Sequence, residues 1–273
     1  TVCAVIRNLN ITPDVLSQMI QLQEKVCETF GSKRKEAAIG VYDLHKITSP
    51  ITYKAYNPKE LKFIPLEFSQ EMDLARILRS HPKGIEFGHL LEGCDKYPIF
   101  IDTVGEVLSM PPIINSNHTG KVTESTRDIF IECSGFAFKY IIPALNVIVT
   151  ALVDRGGDLE TVEVIYADKT IVTPDLKPKT VKIKLEYIES RMGLELGKKK
   201  IIKLLEEANY SIKKESKGVL ELNYPAYRQD IMHPADVCED VIIRYGFNNI
   251  EPKTPYMVTE QSILKINSFS SEV

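Results

Sequence analysis

Apolar positions in the first half of the chain recur with two different periods. Residues 2–6 form an unbroken apolar run that reads as a buried strand. A helix then opens at Ile11-Thr12-Pro13-Asp14, with Thr12 as N-cap and Pro13 in the first helical position. Val15, Met19, Leu22, Val26 and Phe30 follow at steps of four, three, four and four, one core-facing stripe that Gly31 stops. Beyond the charged segment 33–36, residues 37–44 and 48–56 read as strands, 61–68 as an extended stretch broken by Pro65, and 73–80 as a short helix. Residues 98–102 and 105–110 are strands about a turn. Pro111-Pro112 ends the second of them, because proline donates no ladder hydrogen bond, and Ile113-Ile114-Asn115 follows. Across a polar loop, residues 129–134 alternate and stop at Gly135. Residues 141–154 predict a buried helix with Pro143 in its first turn, and 161–166 a returning strand. Strands and helices mix without regular alternation, which predicts an α+β fold with a mixed sheet rather than a doubly wound one.

Thr173-Pro174-Asp175-Leu176-Lys177-Pro178 reads as a linker. Beyond it, 180–185 is a strand, and 198–209 a helix burying Ile201, Ile202, Leu204, Leu205 and Ala208. Residues 210–214 and 219–224 make a hairpin about Glu-Ser-Lys-Gly, and 234–245 is a helix closed by Gly246. Helices with a two-stranded wing predict a winged-helix-like module. The expected division is residues 1–172, 173–252 and a tail at 253–273.

Length and charge narrow the functional classes. A chain of 273 residues accommodates two cores, and 44% hydrophobic with 26% charged residues is ordinary for a globular protein. The net charge of −3 gives no bulk attraction to nucleic acid. Between Lys177 and Lys217, however, 12 Lys and Arg stand against 6 Glu. That local excess suits either a solvated lysine-rich surface or contact with RNA phosphate. The five cysteines lack C-x-x-C or zinc spacing and read as reduced, mostly buried thiols of a cytoplasmic protein. The longest nearly apolar run, 141–153, is too short to span a bilayer. The chain opens on a strand-like run and closes on a polar tail, and is expected to be an excised segment.

Candidate chemistry concentrates in two places. Period-two alternation puts Phe130, Glu132 and Ser134 on one face of a strand. A carboxylate beside an aromatic is costly to bury without a donor, unless a pocket there must recognise a hydroxyl or amine; the alternative is an ion pair on an exposed face. Asn115 next to a loop suits either a pocket or an Asx turn. His118, in an Asn-His-Thr-Gly turn, reads as an exposed loop residue, and Cys133 points away from Glu132. No Ser-His-Asp or Cys-His arrangement is visible. In the last helix Asp236, Glu239 and Asp240 share one face, with Asp230 in the loop before it. Such acids either offset the helix macrodipole or hold a cation such as Mg2+.

The stretches SMPPIIN and TESTRDIFIECSG resemble the editing domain of the phenylalanyl-tRNA synthetase β subunit, archaeal and eukaryotic cytosolic type. PAYRQDIMHPADVCEDVIIRYGFNNI resembles the small domain that follows it, with lesser matches at KEAAIGVYDL and HPKG. The resemblance implies an editing pocket lined by Ser109, Asn115, Glu132 and Ser134. In it Glu132 would accept the phenol hydroxyl of a mischarged tyrosine as a charged group, Ser109 and Ser134 would form polar walls, and Asn115 would orient the ester. It implies hydrolysis of Tyr-tRNA(Phe) by a positioned water, in a complex that ligates phenylalanine to tRNA(Phe) with ATP through its α subunit. It also implies Mg2+ at Asp230, Asp236, Glu239 and Asp240, weak here because the α subunit completes the site. One departure is that Phe136-Ala137 stands where relatives commonly carry Thr-Asp. A non-catalytic module binding tRNA or the α subunit is therefore the alternative.

Overall fold

These patterns resolve into two units in the computed structural model, which describes residues 1–252: three apolar clusters hold the first unit and one holds the second. The expected tail lies outside the described residues. In chain order the first unit contains β1 (Val2–Arg7), α1 (Pro13–Glu28), β2 (Ala38–Asp43), β3 (Thr52–Tyr56), β4 (Lys62–Phe63) and β5 (Met72–Asp73). It continues with α2 (Leu74–Ser80), α3 (Pro82–Phe87), β6 (Tyr97–Ile101), β7 (Val107–Met110), β8 (Ile114–Asn115) and β9 (Ile129–Ser134). It closes with α4 (Phe138–Val153), β10 (Asp158–Ile165) and β11 (Thr170–Thr173).

A five-stranded antiparallel sheet, in the order β11-β10-β1-β9-β2, carries α1 and α4 on one face. Ile129, Ile131 and Cys133 of β9 point into that helix-covered core. The opposite face meets a four-stranded sheet, β3-β6-β7-β8, through Cys3, Val5, Tyr42, Phe100, Leu108 and Phe130. A third cluster beyond the second sheet packs α2 and α3. Alternation in β9 thus sends the even-numbered residues 130, 132 and 134 toward the layer between the sheets, so Glu132 is buried rather than paired on a wet face.

Several boundaries move for physical reasons. Thr12 caps α1 as expected, its side chain accepting from Val15 N, but the helix ends at Glu28. Helix α4 begins at Phe138, not Ile141, because Phe138 and Tyr140 already pack on the core. Pro143 is therefore inside the helix, beyond the first turn, where it costs one hydrogen bond. The linker begins later than its composition suggests. The Thr173 hydroxyl donates to Cys3 O at 2.7 Å and accepts from Cys3 N at 3.0 Å, which ties Thr173 to the first sheet.

The second unit contains β12 (Lys179–Lys184), α5 (Leu185–Met192), α6 (Lys198–Glu207), β13 (Ser211–Ser216), β14 (Val219–Tyr224) and α7 (Pro234–Tyr245). Its sheet has three strands, β12-β14-β13, because β12 pairs with β14 along its whole length. The hairpin turns on Lys217 and Gly218 alone, at φ 48° and 76°, the conformation a two-residue connection requires. Helix α7 has its expected bounds, and Asp236 closes a capping box with His233. Among the described residues no helix is long and apolar enough to cross a membrane.

Candidate functional site

Glu132 sits at the centre of the layer between the two sheets, 2% exposed. Its Oε1 lies 3.2 Å from the Tyr42 hydroxyl, which lies 2.7 Å from Ser109 Oγ. Its Oε2 is buried and has no hydrogen-bond partner among the described residues. Burial pushes the carboxyl up to about 8, against the opposing pull of the Tyr42 hydroxyl. The expected charged acceptor is therefore a neutral acid at pH 7. Tyr42 has one proton, and its shorter contact is to Ser109. A neutral Glu132 can donate from Oε1 to Tyr42, which donates on to Ser109. Oε2 is then a bare carbonyl acceptor.

The strands make this arrangement obligatory. Gly40 pairs with Glu132 in the β2–β9 register. A methyl group on Gly40 would stand 2.1 Å from the Tyr42 hydroxyl and 2.7 Å from Glu132 Oε1, so only a hydrogen fits there. Gly40→Ala is expected to destabilise the fold by roughly 1–3 kcal/mol through overpacking. Chemical denaturation of the two proteins measures this, and an unchanged midpoint would mean the relay can yield.

Ser109, Asn115 and Glu132 all line one cavity of about 570 Å³ between α1, β2 and the β7–β8 turn. Ser134, the fourth expected residue, is buried on the same strand but does not line it. Asn115 makes no Asx turn: Ser116 accepts from His118 N instead. Among the described residues the Asn115 amide is left with one long contact, 3.4 Å to Val41 O. His118 is exposed, as the turn suggested. Cys133 faces the helix-covered core, where burial raises its thiol far above the usual range. Phe136 is 93% exposed, and neither it nor Ala137 lines the cavity.

Three further residues at the site were not singled out from sequence: Tyr42, buried beneath the cavity wall, and Arg34 and His81, which line the cavity. Tyr42 lay within a matched segment but carried no assigned role. Arg34 donates from Nη1 to Pro112 O at 3.1 Å and Ile113 O at 2.9 Å, and lies 4.1 Å from the Phe87 ring centroid. It clamps the turn that presents Ser109 and Asn115. Ser32, Lys33 and Arg34 all adopt positive φ, a strained path held by backbone bonds back to the last turn of α1. His81 is buried with Nε2 against Leu66 O at 3.2 Å and Nδ1 accepting from Lys83 N at 3.1 Å. Both nitrogens are occupied, so His81 caps α3 and offers no free base.

The acids of the second unit do not converge. Arg228 donates from Nε to Asp230 Oδ1 at 2.8 Å and from Nη2 to Asp240 Oδ2 at 2.8 Å. That pairing holds Asp230 below the usual carboxylate range. The Tyr210 hydroxyl donates to Asp240 at 2.6 Å. Asp236 accepts from Met232 N and His233 N, while Glu239 is exposed. Among the described residues no group of three or more His, Cys, Asp or Glu side chains is arranged to hold a metal ion. With a guanidinium already neutralising two carboxylates, these residues as they stand do not fit Mg2+.

Comparison with known proteins gives two family matches. Residues 8–151 match the B3/4 domain, and residues 181–247 match the tRNA synthetase B5 domain. The phenylalanine–tRNA ligase beta subunit of Pyrococcus abyssi is 51% identical over 95% of this chain and 46% of its own length. That of Methanosarcina barkeri is 40% identical over 94% of this chain and 47% of its own. The crystal structure of an N-terminal fragment of the Pyrococcus horikoshii phenylalanyl-tRNA synthetase β subunit superposes with a TM-score of 0.86 at 49% identity. It covers 89% of this chain and 70% of that one. A B3/4 domain followed by a B5 domain defines the class, and the chain belongs to the phenylalanyl-tRNA synthetase β-subunit family. It spans about half the length of the curated relatives it matches.

Proposed function

We propose that this chain is the editing portion of a cytoplasmic phenylalanyl-tRNA synthetase and hydrolyses tyrosine mistakenly esterified to tRNA(Phe). The parent complex, with an α subunit, would ligate phenylalanine to tRNA(Phe) using ATP. The observation that carries the reading is Glu132 Oε2, a buried acceptor with no partner among the described residues, on the wall of a 570 Å³ cavity. An orphaned acceptor costs roughly 1–3 kcal/mol. A tyrosine phenol would relieve that cost, and phenylalanine would leave it in place. An apolar synthetic pocket rejects an extra hydroxyl only by roughly a hundredfold, so a second site with the opposite preference is chemically useful.

The lining supports hydrolysis by a positioned water. Asn115 has amide capacity to spare for the ester or the terminal adenosine, and Ser109 supplies a polar wall next to the relay. His81 is committed to two backbone groups, so in this scheme the substrate's own vicinal ribose hydroxyl takes a proton from the attacking water while passing its own to the leaving ester oxygen. Mg2+ enters only as a site completed by another subunit, in which Arg228 must release Asp230 and Asp240. The second reading is a non-catalytic module that binds tRNA or the α subunit. It is favoured by Phe136-Ala137, which brings no polar group to the cavity.

Deacylation of Tyr-tRNA(Phe) by the purified chain, with Phe-tRNA(Phe) alongside, separates the two. Release of tyrosine well above the spontaneous rate, with phenylalanine retained, is expected. Binding of both without release would leave the non-catalytic module.

A further inference from the structure

The outer face of the second unit's sheet is built from the strand register. Apolar Val181, Ile183, Leu220 and Leu222 point inward to the second core. The residues between them point outward. Lys182 pairs with Glu221, and Glu221 with Lys214, in one row across all three strands. Lys184 pairs with Val219 in the next row, and Thr180 with Asn223 in the row before.

A bulge between Ile212 and Lys214 alters the count. It inserts Lys213 without breaking the row and turns it onto the same face, where its Nζ reaches Glu221 Oε1 at 2.8 Å. Two consecutive lysines thus share a face that simple alternation would have divided. Lys213 satisfies the one carboxylate of these rows. Lys182, Lys184 and Lys214 are exposed and make no ion pair among the described residues. Around them stand Thr180, Ser211, Ser216 and Asn223, all short hydrogen-bonding side chains.

We propose that this sheet face, uncovered among the described residues, docks the phosphate backbone of structured RNA. Lysines interleaved with Ser, Thr and Asn are the side chains that contact phosphate and sugar. The outward rows contain no aromatic side chain, so the face has no platform for stacking splayed bases. It therefore takes a duplex backbone rather than a single strand. The choice of RNA as partner rests on the tRNA reading above; the charge and its layout do not.

The test uses the whole chain and a labelled, unacylated tRNA transcript, followed by fluorescence anisotropy at several salt concentrations. A triple variant, Lys182→Gln with Lys184→Gln and Lys214→Gln, removes charge from the face. A control triple, Lys25→Gln with Lys59→Gln and Lys62→Gln, removes the same charge from exposed positions of the first unit. The face variant is expected to bind about tenfold or more weakly, with a salt slope flatter by about 2–3, one phosphate contact per lysine. Its melting curve should match the parent's, because all three side chains are exposed. Equal weakening by both triples would reduce the effect to bulk charge and overturn the proposal, as would no weakening by either. Tighter binding of single-stranded oligouridine than of the tRNA would overturn the choice of a duplex. If the face triple alone weakens binding and the parent releases no tyrosine, the surface stands and the editing reading falls. If tyrosine is released at the parent's saturated rate and tRNA affinity is unmoved, the reverse holds.

Discussion

Glu132→Gln is expected to make the protein markedly more stable above pH 8 and to change it little at pH 4–5. The sign follows from proton counting. The carboxyl has a folded value of about 8 against an ordinary value of 4.5. Between these values the folded chain holds one proton that the unfolded chain has released. Stability is thus fully present below pH 4.5 and is lost as pH rises through about 8. The slope is roughly 1.4 kcal/mol per pH unit, so the total across that window is on the order of several kcal/mol. Glutamine never ionises and has no such slope. Its amide keeps an oxygen and a donor for the Tyr42–Ser109 relay. Thermal unfolding of parent and variant from about pH 4 to pH 10 measures the effect: the two curves should diverge steadily above about pH 5 and run parallel above about pH 9. Parallel curves throughout would mean that Glu132 ionises normally and that water reaches it.

Why the carboxyl could be located from sequence but not its charge is a matter of distance along the chain. Alternation in residues 129–134 is local, and it correctly placed Glu132 on the face opposite Cys133. What buries Glu132 comes from elsewhere: Tyr42 lies 90 positions away and Ser109 closes the relay from another sheet. No periodicity reports such contacts. The same limit governs the acids of α7. Asp236, Glu239 and Asp240 do share a helix, but Arg228 and Tyr210 reach in from outside it and take two of the carboxylates. Helices α1 and α7 were legible because each carries its own cap, stripe and stop. Helix α5 was not, although Gly193 at φ 67° ends it, because its apolar residues Leu185, Ile188 and Met192 are interrupted by charge. Helix α3 hides behind Pro82, which reads as a breaker but occupies the first helical turn under a His81 cap. The clamp of Arg34 on the β7–β8 turn had no local signal at all.

Replacing the carboxyl altogether should separate recognition from hydrolysis. In Glu132→Ala the orphaned Oε2 is gone, so phenylalanine no longer leaves an acceptor unpaired and tyrosine no longer finds one. A neutral hydrogen bond contributes about 0.5–1.5 kcal/mol, and an acceptor left unsatisfied costs roughly 1–3 kcal/mol. Together they predict about a ten- to thousandfold fall in the ratio of Tyr-tRNA(Phe) to Phe-tRNA(Phe) hydrolysis, most of it in kcat/KM for the tyrosyl ester. Asn115→Ala acts at the other end of the substrate. It should slow both esters alike and leave their ratio intact, because its amide is free to hold groups that tyrosine and phenylalanine share. Single-turnover deacylation of both substrates by the parent and the two variants supplies the six rates needed. An unchanged ratio in Glu132→Ala, with the parent active, would remove Glu132 from recognition and reduce the relay to a feature of the core. A changed ratio in Asn115→Ala would instead put the amide at the phenol, and the orientation of the substrate in the cavity would have to be reversed.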